Sequence, residues 1–548
     1  MPTLIRHTIS RRDLMLGATA AGLILPGARR PEPVAPGAGF THGIASGEPG
    51  PTSMLFWTRY QGIGDRPVPL KLEISTDPRL TRARVVAETI ADPARDWTAR
   101  ATVPGLLPGQ TYYYRWIATP KIHSIIGRTR TLPLNAPAQF RLGVFSCSNL
   151  PYGWFNAYAH AVAADDIDLV VHLGDYIYEY ARGTYPSATS AIPGRSIEPA
   201  GETIRLPDYW GRYQSYRADP DLQALHARYP AVTTWDDHEI ANDAWARGAE
   251  NHNARSEGLF ADRLAAARAA YRDWMPVSDK PFARYDIGRL ASLYRLDTRA
   301  HGRDEPLDIA AAITAGPDTM TALKRLRDER WLAGNRQLLG FDQEQWLFEQ
   351  VSQSVRQGSR WQVLAQQVVM GRIMMPPGAS ALAGASPGAD VAAFIGAAEV
   401  AAKLGLPMNL DAWDGYPAAR ARLLGTAQRL GADLVVLAGD SHNAWANDLH
   451  NDGRPAGVEF AGQSVSSPGF ETYLSNASPA AVADALRGAN PLLRWADTSG
   501  RGYMQVSLSP AEAVCEWRFT APVRARSTAL AGVQRARVRA GQRQLIIG

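Results

Sequence analysis

Residues of the types that bind metal ions follow four apolar segments of this chain directly. Each segment has the composition of a buried strand. The residues that follow them are Cys147; Asp175 with Tyr178; Asp236, Asp237 and His238; and Asp440 with His442. In α/β sheets, ligand sites lie outside the carboxyl ends of the strands. We therefore expect these residues, distant in sequence, to converge on one site.

Each residue also has an ordinary structural interpretation. A cysteine such as Cys147 is more often a small buried side chain, and an aspartate after glycine, such as Asp175, is common in turns. The Asp-Asp-His run at 236–238 would suit the start of a solvated helix, where acids favour the helix dipole. Asp440 and His442 would suit a surface turn. Four such coincidences at the same position of four strands favour a metal site instead.

A site of this composition suits the hydrolysis of phosphoesters. That reaction needs a nucleophile at neutral pH and cations beside the developing phosphoryl charge, and two metal ions about 3.5–4 Å apart supply both. Hard cations such as Ca²⁺ prefer oxygen ligands, whereas thiolate and imidazole favour a transition metal. Cysteine, tyrosine and histidine beside several aspartates therefore indicate a mixed centre, with one iron-like ion and others held by carboxylates.

The segments that position these residues alternate between strand and helix patterns. Strands are predicted at 140–146, 167–173, 231–235, 361–365 and 433–438, with further strands in the tail at 502–508 and 513–519. A helix is predicted at 342–357, opened by a capping box of Asp342 and Gln345. This alternation predicts an α/β catalytic domain over 138–548. Residues 534–545 give no clear helix or strand signal.

Short strands separated by turns precede the catalytic domain. Strands are predicted at 53–59, 70–75 and 111–117, the last after the turn Pro108-Gly109. This spacing predicts a small β-sandwich domain over 40–133. The proline- and glycine-rich residues 31–39 are predicted to be a linker.

Residues 1–30 have the features of an export signal. Arg11 and Arg12 precede an apolar stretch, Leu14 to Leu25, which is long enough for a signal peptide and short for a membrane span. The arginine pair predicts the twin-arginine (Tat) route, so the Tat export machinery is an expected partner; an ordinary secretory signal is the alternative. We expect a periplasmic or secreted protein with no stable transmembrane span after cleavage. Because an Ala-x-Ala cleavage motif is missing, an uncleaved signal would tether the chain to the membrane.

The charge and the cysteine content exclude two further classes of protein. Most of the net charge of +5 lies in residues 1–30, which hold five arginines against one aspartate. The remainder of the chain is close to neutral, which argues against nucleic acid as a binding partner. Only two cysteines are present, Cys147 and Cys515, so a disulfide framework is excluded and one disulfide is possible but not implied.

Several longer motifs occur in order along the chain. They are GIASGEP at 43–49, WTR at 57–59, GDYIYE at 174–179, WDDHE at 235–239, LDTR at 296–299, WQVLAQQ at 361–367 and GDSHNAW at 439–445. In this order they resemble the motifs of the PhoD-type alkaline phosphatases. The resemblance covers nearly the whole chain after residue 40. It implies a calcineurin-like metallophosphoesterase fold, a four-layer α/β/β/α sandwich, preceded by the small β-sandwich. It also implies Fe³⁺ and Ca²⁺ as cofactors. Members of that family have a C-terminal segment that can cover the site, but the final residues of this chain give no pattern that predicts one.

The resemblance implies a role for individual residues. Cys147, Asp175, Tyr178 and His442 would bind iron, with Asp175 bridging to calcium. Asp237 and Asp440, with Asn242, match positions on the calcium side.

Two further residues match positions close to the substrate. His238 stands where a histidine contacts the substrate phosphate or the leaving group. Arg299 would orient the substrate; the alternative is an ion pair with Asp297 or Asp304.

We therefore expect an exported alkaline phosphatase that releases inorganic phosphate from small-molecule phosphoesters by attack of a metal-held hydroxide. No Ser or Thr nucleophile motif stands at these strand ends, so no phosphoenzyme is expected. Two alternatives remain open: a phosphodiesterase of phospholipase D type on the same scaffold, and a non-catalytic metal-binding module.

Overall fold

The computed structural model describes residues 39–62, 64–315, 318–383 and 389–548. All of them belong to one compact unit, Ala35–Gly548. The predicted export signal lies outside the described residues, as does the predicted linker apart from Gly39. Within the described ranges, no helix combines the length and the apolar character needed to cross a membrane.

The strands run from the start of the described chain to its end. They are β1 (Phe40–Gly47), β2 (Ser53–Tyr60), β3 (Val68–Ser75), β4 (Arg84–Ala91), β5 (Thr98–Pro104), β6 (Thr111–Thr119), β7 (Ile122–His123), β8 (Gly127–Arg130), β9 (Phe140–Phe145), β10 (Leu169–His172), β11 (Pro230–Thr233), β12 (Ala283–Ile287), β13 (Ala291–Arg295), β14 (Trp361–Ala365), β15 (Asp433–Ala438), β16 (Ala444–Asn451), β17 (Arg454–Ala461), β18 (Leu493–Asp497), β19 (Gly502–Leu508), β20 (Glu512–Thr520), β21 (Leu530–Arg539) and β22 (Ile546–Ile547).

The helices fall between these strands. They are α1 (Asn156–Ala164), α2 (Leu206–Arg217), α3 (Pro220–Arg228), α4 (Ala254–Glu257), α5 (Phe260–Trp274), α6 (Ile309–Ala315), α7 (Thr319–Arg325), α8 (Phe341–Arg356), α9 (Ala379–Leu382), α10 (Ala389–Ala402), α11 (Pro417–Arg429) and α12 (Pro479–Ala489). Short 3-10 turns occur at Pro93–Arg95, Trp413–Gly415 and Phe470–Thr472, and a π-helical turn at Leu326–Trp331.

Two large sheets carry the site. The first has the order β22-β21-β20-β19-β9-β10-β11-β1-β2-β5, and the second has the order β12-β13-β14-β15-β17-β16-β18. Strands β9, β10 and β11 are parallel neighbours in the first sheet. Strands β13, β14 and β15 are parallel neighbours in the second. Each sheet therefore presents three carboxyl ends side by side.

The two sheets pack face to face, with helices outside them. Val144 and Val171 of the first sheet share a buried cluster with Val363 and Val435 of the second. Side chains of α1, α2, α3 and α5 cover the outer face of the first sheet, and those of α8 and α11 cover the outer face of the second. The predicted four-layer α/β/β/α arrangement is confirmed. Both cysteines, Cys147 and Cys515, are free and buried.

The N-terminal strands form a sandwich of two layers. One of these layers, β1, β2 and β5, is continuous with the first large sheet. A third sheet, β4-β3-β6-β7 with β8 beside β6, packs on β1, β2 and β5. Phe56 of β2 and Trp116 of β6 lie in the hydrophobic core between these two layers. Strand β1 also pairs in parallel with β11, where Ser46 stands opposite Pro230. Backbone hydrogen bonds therefore join the sandwich to the sheet that carries the site.

The C-terminal residues complete the other end of the large sheet. Strand β21 pairs antiparallel with β20, and β22 pairs with β21. The second half of β21, the strand next to the edge strand β22, thus lies in the segment 534–545, which carries no clear helix or strand signal. Its buried residues are Ala536 and Val538, while Arg535, Arg537 and Arg539 point away from the core.

Candidate metal and active site

The loops after β9, β10 and β11 lie in contact. Phe145 stands opposite His172, and His172 opposite Thr233, so the three strands end at the same level. Gly174 permits the loops after β10 and β11 to approach each other closely, because a Cβ atom at this residue would lie 2.4 Å from the Cβ of Asp236. Its φ of +104° also favours glycine. The residue before Asp175 thus lets the second and third loops meet.

Four of the predicted metal ligands have left-handed backbone conformations. Cys147, Asp175, Asp440 and His442 have φ values of 60°, 53°, 62° and 59°. Such conformations cost free energy in residues other than glycine, and they concentrate at functional sites. The fold therefore turns the chain sharply at each of these residues and brings their side chains together beyond the strand ends.

Three overlapping groups of side chains have the composition and spacing of metal ligands. Within each group, the ligand atoms all lie within 4.8 Å of one another. The groups are Cys147, Asp175 and His442; Asp175, Asp237 and His238; and Asp236, Asp237 and Asp440. Asp175 belongs to the first two groups and Asp237 to the last two. The residues predicted at the four strand ends therefore do converge, and shared carboxylates connect the groups.

Tyr178 joins the first group. Its hydroxyl donates to Asp175 Oδ2 at 3.0 Å and lies 3.1 Å from His442 Nε2 and 2.6 Å from Ser467 Oγ. Burial, reinforced by the negative charge of Asp175, raises the pKa of the Tyr178 phenol and of the Cys147 thiol well above their ordinary values. A cation at this position would favour the deprotonated forms of both groups.

Unpartnered carboxylate oxygens show that these groups suit metal ions. Asp175 Oδ1, Asp236 Oδ2 and Asp237 Oδ1 are buried and have no hydrogen-bond partner. A buried charged oxygen without a partner is costly, and a bound cation removes that cost. The chemistry of the donor set therefore fits metal ions.

Arg299 lies beneath the third group. Its side chain is fully buried and donates to Asp236 Oδ1 at 2.5 Å and to Asp440 Oδ1 at 2.7 Å. It also binds Asp411 Oδ2 at 2.7 Å and lies 3.5 Å from Asp237 Oδ1. Its own backbone N–H donates to Asp297. The guanidinium group thus ion-pairs with carboxylates of the site, while Asp297 binds only the backbone.

His238 is held by a buried carboxylate. Its Nδ1 lies 2.7 Å from Glu179 Oε2, and its ring packs 4.3 Å from that of Tyr178, centroid to centroid. Burial disfavours the charged imidazole, but the negative charges of Glu179, Asp237 and Asp175 outweigh this and raise the pKa of His238 well above its ordinary value. Because Nδ1 is engaged, Nε2 is the ring nitrogen left to act on a substrate.

Asn242 lies at the margin of the site. Its backbone N–H donates to Glu179 Oε1 at 2.7 Å, and its side-chain amide donates to Glu250. The asparagine thus helps to hold the carboxylate that supports His238.

Sequence reasoning missed several residues that support the site. Glu239 accepts hydrogen bonds from the backbone N–H groups of Asp175, Tyr176 and Asp236. Glu179 and Glu239 stood within the motifs at 174–179 and 235–239, so a signal for both was present. Asp411 carried no such signal, because it lies in an irregular segment far from any strand end.

Comparison with known proteins matches two family models to the chain. The model of the PhoD-like phosphatases matches residues 142–517, and the model of the N-terminal domain of PhoD-like phosphatases matches residues 27–133. The chain belongs to the PhoD-like phosphatase family. The resemblance inferred from the ordered motifs is confirmed, and so is the inference that the chain is a phosphoester hydrolase.

Relatives of this PhoD-like phosphatase match over most of their length. Alkaline phosphatase D of Bacillus subtilis (strain 168) is 32% identical over 504 residues, which cover 87% of this chain and 77% of that protein. A solved structure of PhoD superposes with a TM-score of 0.75 at 29% identity, covering 93% of this chain and 92% of that one. The similarity therefore extends through both the sandwich and the catalytic layers.

Proposed function

We propose that this chain is an exported, metal-dependent alkaline phosphatase that releases inorganic phosphate from small-molecule phosphoesters. The observation that carries the proposal is the sharing of Asp175 and Asp237 among three ligand groups. A shared carboxylate is what a pair of closely spaced ions requires. The name of the Bacillus subtilis relative supports the same activity.

The ligand chemistry divides the proposed ions into two kinds. Cys147, Tyr178 and His442, with Asp175, would hold Fe³⁺, because thiolate, phenolate and imidazole suit a transition metal. Asp237 and Asp440, with Asn242 as a further ligand, would hold Ca²⁺, which prefers oxygen. Asp236 joins this second set by its position. When bound, the ions supply a nucleophile at neutral pH and positive charge beside the phosphoryl group.

His238 is the proposed catalytic residue. Glu179 binds Nδ1 and fixes the ring plane, so that Nε2 faces the substrate. In that orientation the protonated imidazole donates its Nε2 proton to the leaving-group oxygen, which leaves as an alcohol.

Elemental analysis and a comparison of two substrates test the proposal. We expect the purified protein to contain iron and calcium and to hydrolyse an aryl phosphate monoester faster than the matching diester at equal concentration. Chelation should inactivate the protein, and Ca²⁺ should restore activity. A preference for the diester would favour the phosphodiesterase alternative, and activity insensitive to strong chelators would contradict the carboxylate-held ions.

Export through the twin-arginine route is a separate part of the proposal. It rests on Arg11, Arg12 and the apolar stretch after them. Replacing both arginines with lysine keeps the charge and should leave the full-length protein in the cytoplasm. Normal export of that double variant, measured by fractionation, would contradict the route.

A further inference from the structure

The guanidinium group of Arg299 makes an unusual set of contacts for a buried side chain. It has no solvent-accessible surface, and its three nitrogens reach four different carboxylates. Three of those carboxylates, Asp236, Asp237 and Asp440, form one of the metal-ligand groups. A residue enclosed in this way has no surface with which to meet a substrate.

Arg299 binds one oxygen of each of two carboxylates, Asp236 and Asp440. Arg299 Nε binds Asp236 Oδ1, and Asp236 Oδ2 has no hydrogen-bond partner. A second nitrogen, Nη2, binds Asp440 Oδ1. A guanidinium group is a rigid planar fork, so occupying one oxygen on each of two carboxylates fixes the direction of the other oxygen. Arg299 therefore orients two aspartates while leaving an oxygen of Asp236 for a cation.

Residues outside the metal-ligand groups hold the guanidinium group of Arg299 in place. Arg299 Nη1 binds Asp411 Oδ2 at 2.7 Å, and Arg303 binds the other oxygen of Asp411. Arg303 also donates to the backbone oxygen of Thr298 at 2.9 Å. The Arg299 backbone N–H is anchored on Asp297. The position of the guanidinium group is thus fixed by the fold and does not depend on the metal ligands alone.

We propose that Arg299 is a positioning residue for the carboxylate-held metal ion and does not contact the substrate. The inference rests on the proposed metal sites. It predicts that Ca²⁺ binding requires the planar shape of the guanidinium group as well as its positive charge. A buried cation that merely competed with the metal would have the opposite effect, because its removal would strengthen metal binding.

The test measures Ca²⁺ binding to the purified full-length protein after the bound calcium has been removed by mild chelation. Arg299→Lys keeps the positive charge and removes the fork. Loss of an interaction that orients a metal ligand typically costs 10–100-fold in metal affinity, and we expect a loss in that range. The matched control is Arg295→Lys, a buried arginine at the end of β13 that binds Glu48 at 2.6 Å and the backbone oxygen of Lys280. Its Ca²⁺ affinity should equal that of the wild type.

Asp411→Asn provides a second route if Arg299→Lys folds poorly. It leaves all three ligand groups intact and removes the charge and one of the two acceptor oxygens that anchor Arg299 and Arg303, so it should weaken Ca²⁺ binding by a smaller factor. The effects of the two substitutions should be less than additive in the double variant. Unchanged or tighter Ca²⁺ binding in both single variants would overturn this inference alone. A wild type that binds no Ca²⁺ would overturn it together with the proposed calcium site.

Discussion

The hydroxyl of Tyr178 lies within hydrogen-bond distance of two proposed iron ligands, Asp175 and His442. A phenolate bound to Fe³⁺ absorbs visible light through charge transfer. If Tyr178 binds ferric iron, the purified protein is coloured, and Tyr178→Phe should bleach or strongly shift the band while the fold survives. Absorption spectra with parallel iron analysis make the measurement.

Tyr213→Phe is a suitable control for the spectrum. Tyr213 is another fully buried tyrosine, and its hydroxyl has no hydrogen-bond partner. Its replacement should leave the band unchanged. An active, iron-loaded wild type without visible absorption would rule out the tyrosinate and weaken the companion role of Cys147.

His238 belongs to a ligand group and also has the orientation of a proton donor, so its role needs a measurement that separates the two. We expect His238→Ala to keep its metal content and to lose roughly 10²–10⁴-fold in kcat, the range for general acid–base groups. Glu179→Gln should also reduce kcat, but by a smaller factor, because the imidazole ring of His238 remains while the carboxylate that holds it is lost. Loss of metal from His238→Ala would make the histidine a ligand.

At the scale of the elements, Glu239 connects two strand ends. One carboxylate accepts backbone N–H groups from the loop after β10 and from the loop after β11. A glutamine has one acceptor oxygen in place of two, so Glu239→Gln leaves at least one buried N–H group unpaired. We expect a loss of about 1–3 kcal/mol in the free energy of unfolding, measured by denaturant titration.

An exposed glutamate serves as the reference for that loss. Glu88 forms a solvent-exposed ion pair with Lys71, and Glu88→Gln should change stability by less than about 0.5 kcal/mol. Equal stability of the Glu239 and Glu88 variants would show that the two loops are held together by other contacts.

The sequence predicted most elements that position the site. Strands β14, β15 and β19 have the predicted limits, and β9, β10 and β11 differ from them by a few residues. These segments are apolar throughout and end in polar residues, which is a strong local signal. The metal-ligand types directly after them were predictable for the same reason.

Some features depend on contacts that no local pattern shows. The helix predicted at 342–357 is present as α8, but its capping box is wrong: Gly340 is the N-cap, with φ +76° and no side-chain cap. A Cβ atom on Gly340 would lie 2.7 Å from the carbonyl oxygen of His301, so tertiary packing determines this helix start. Strand β21 was missed because only Ala536 and Val538 mark its buried face.

At the scale of the whole molecule, buried neutral histidines make stability depend on pH. His172 is 2% exposed, and burial lowers its pKa from 6.5 to about 3. The N–H of Gly174 donates to its Nδ1 at 3.4 Å. Between pH 6.5 and pH 3 the unfolded chain binds a proton that the folded protein does not. The contribution of His172 is therefore complete above pH 6.5 and is lost as the pH falls, at about 1.4 kcal/mol per pH unit.

Replacing the histidine should flatten this dependence. His172→Asn keeps an acceptor for Gly174 and removes the titrating group, so its unfolding free energy should fall less steeply between pH 6.5 and pH 5 than that of the wild type. Equal slopes for the His172 variant and the wild type would show that the imidazole binds a proton in the folded state.

The parallel pairing of β1 with β11 has a consequence for protein engineering. Ser46 and Gly47 lie beside Pro230 and Ala231, the backbone N–H of Glu48 donates to Ala231, and the Glu48 side chain binds Arg295. A chain cut near residue 135 would leave one edge of β11 without its neighbour, and β11 is the strand that leads into the loop carrying Asp236. The N-terminal segment is therefore not a transferable module. A chimera that took this segment from another phosphatase would have to supply a strand in the same register before the metal site could form.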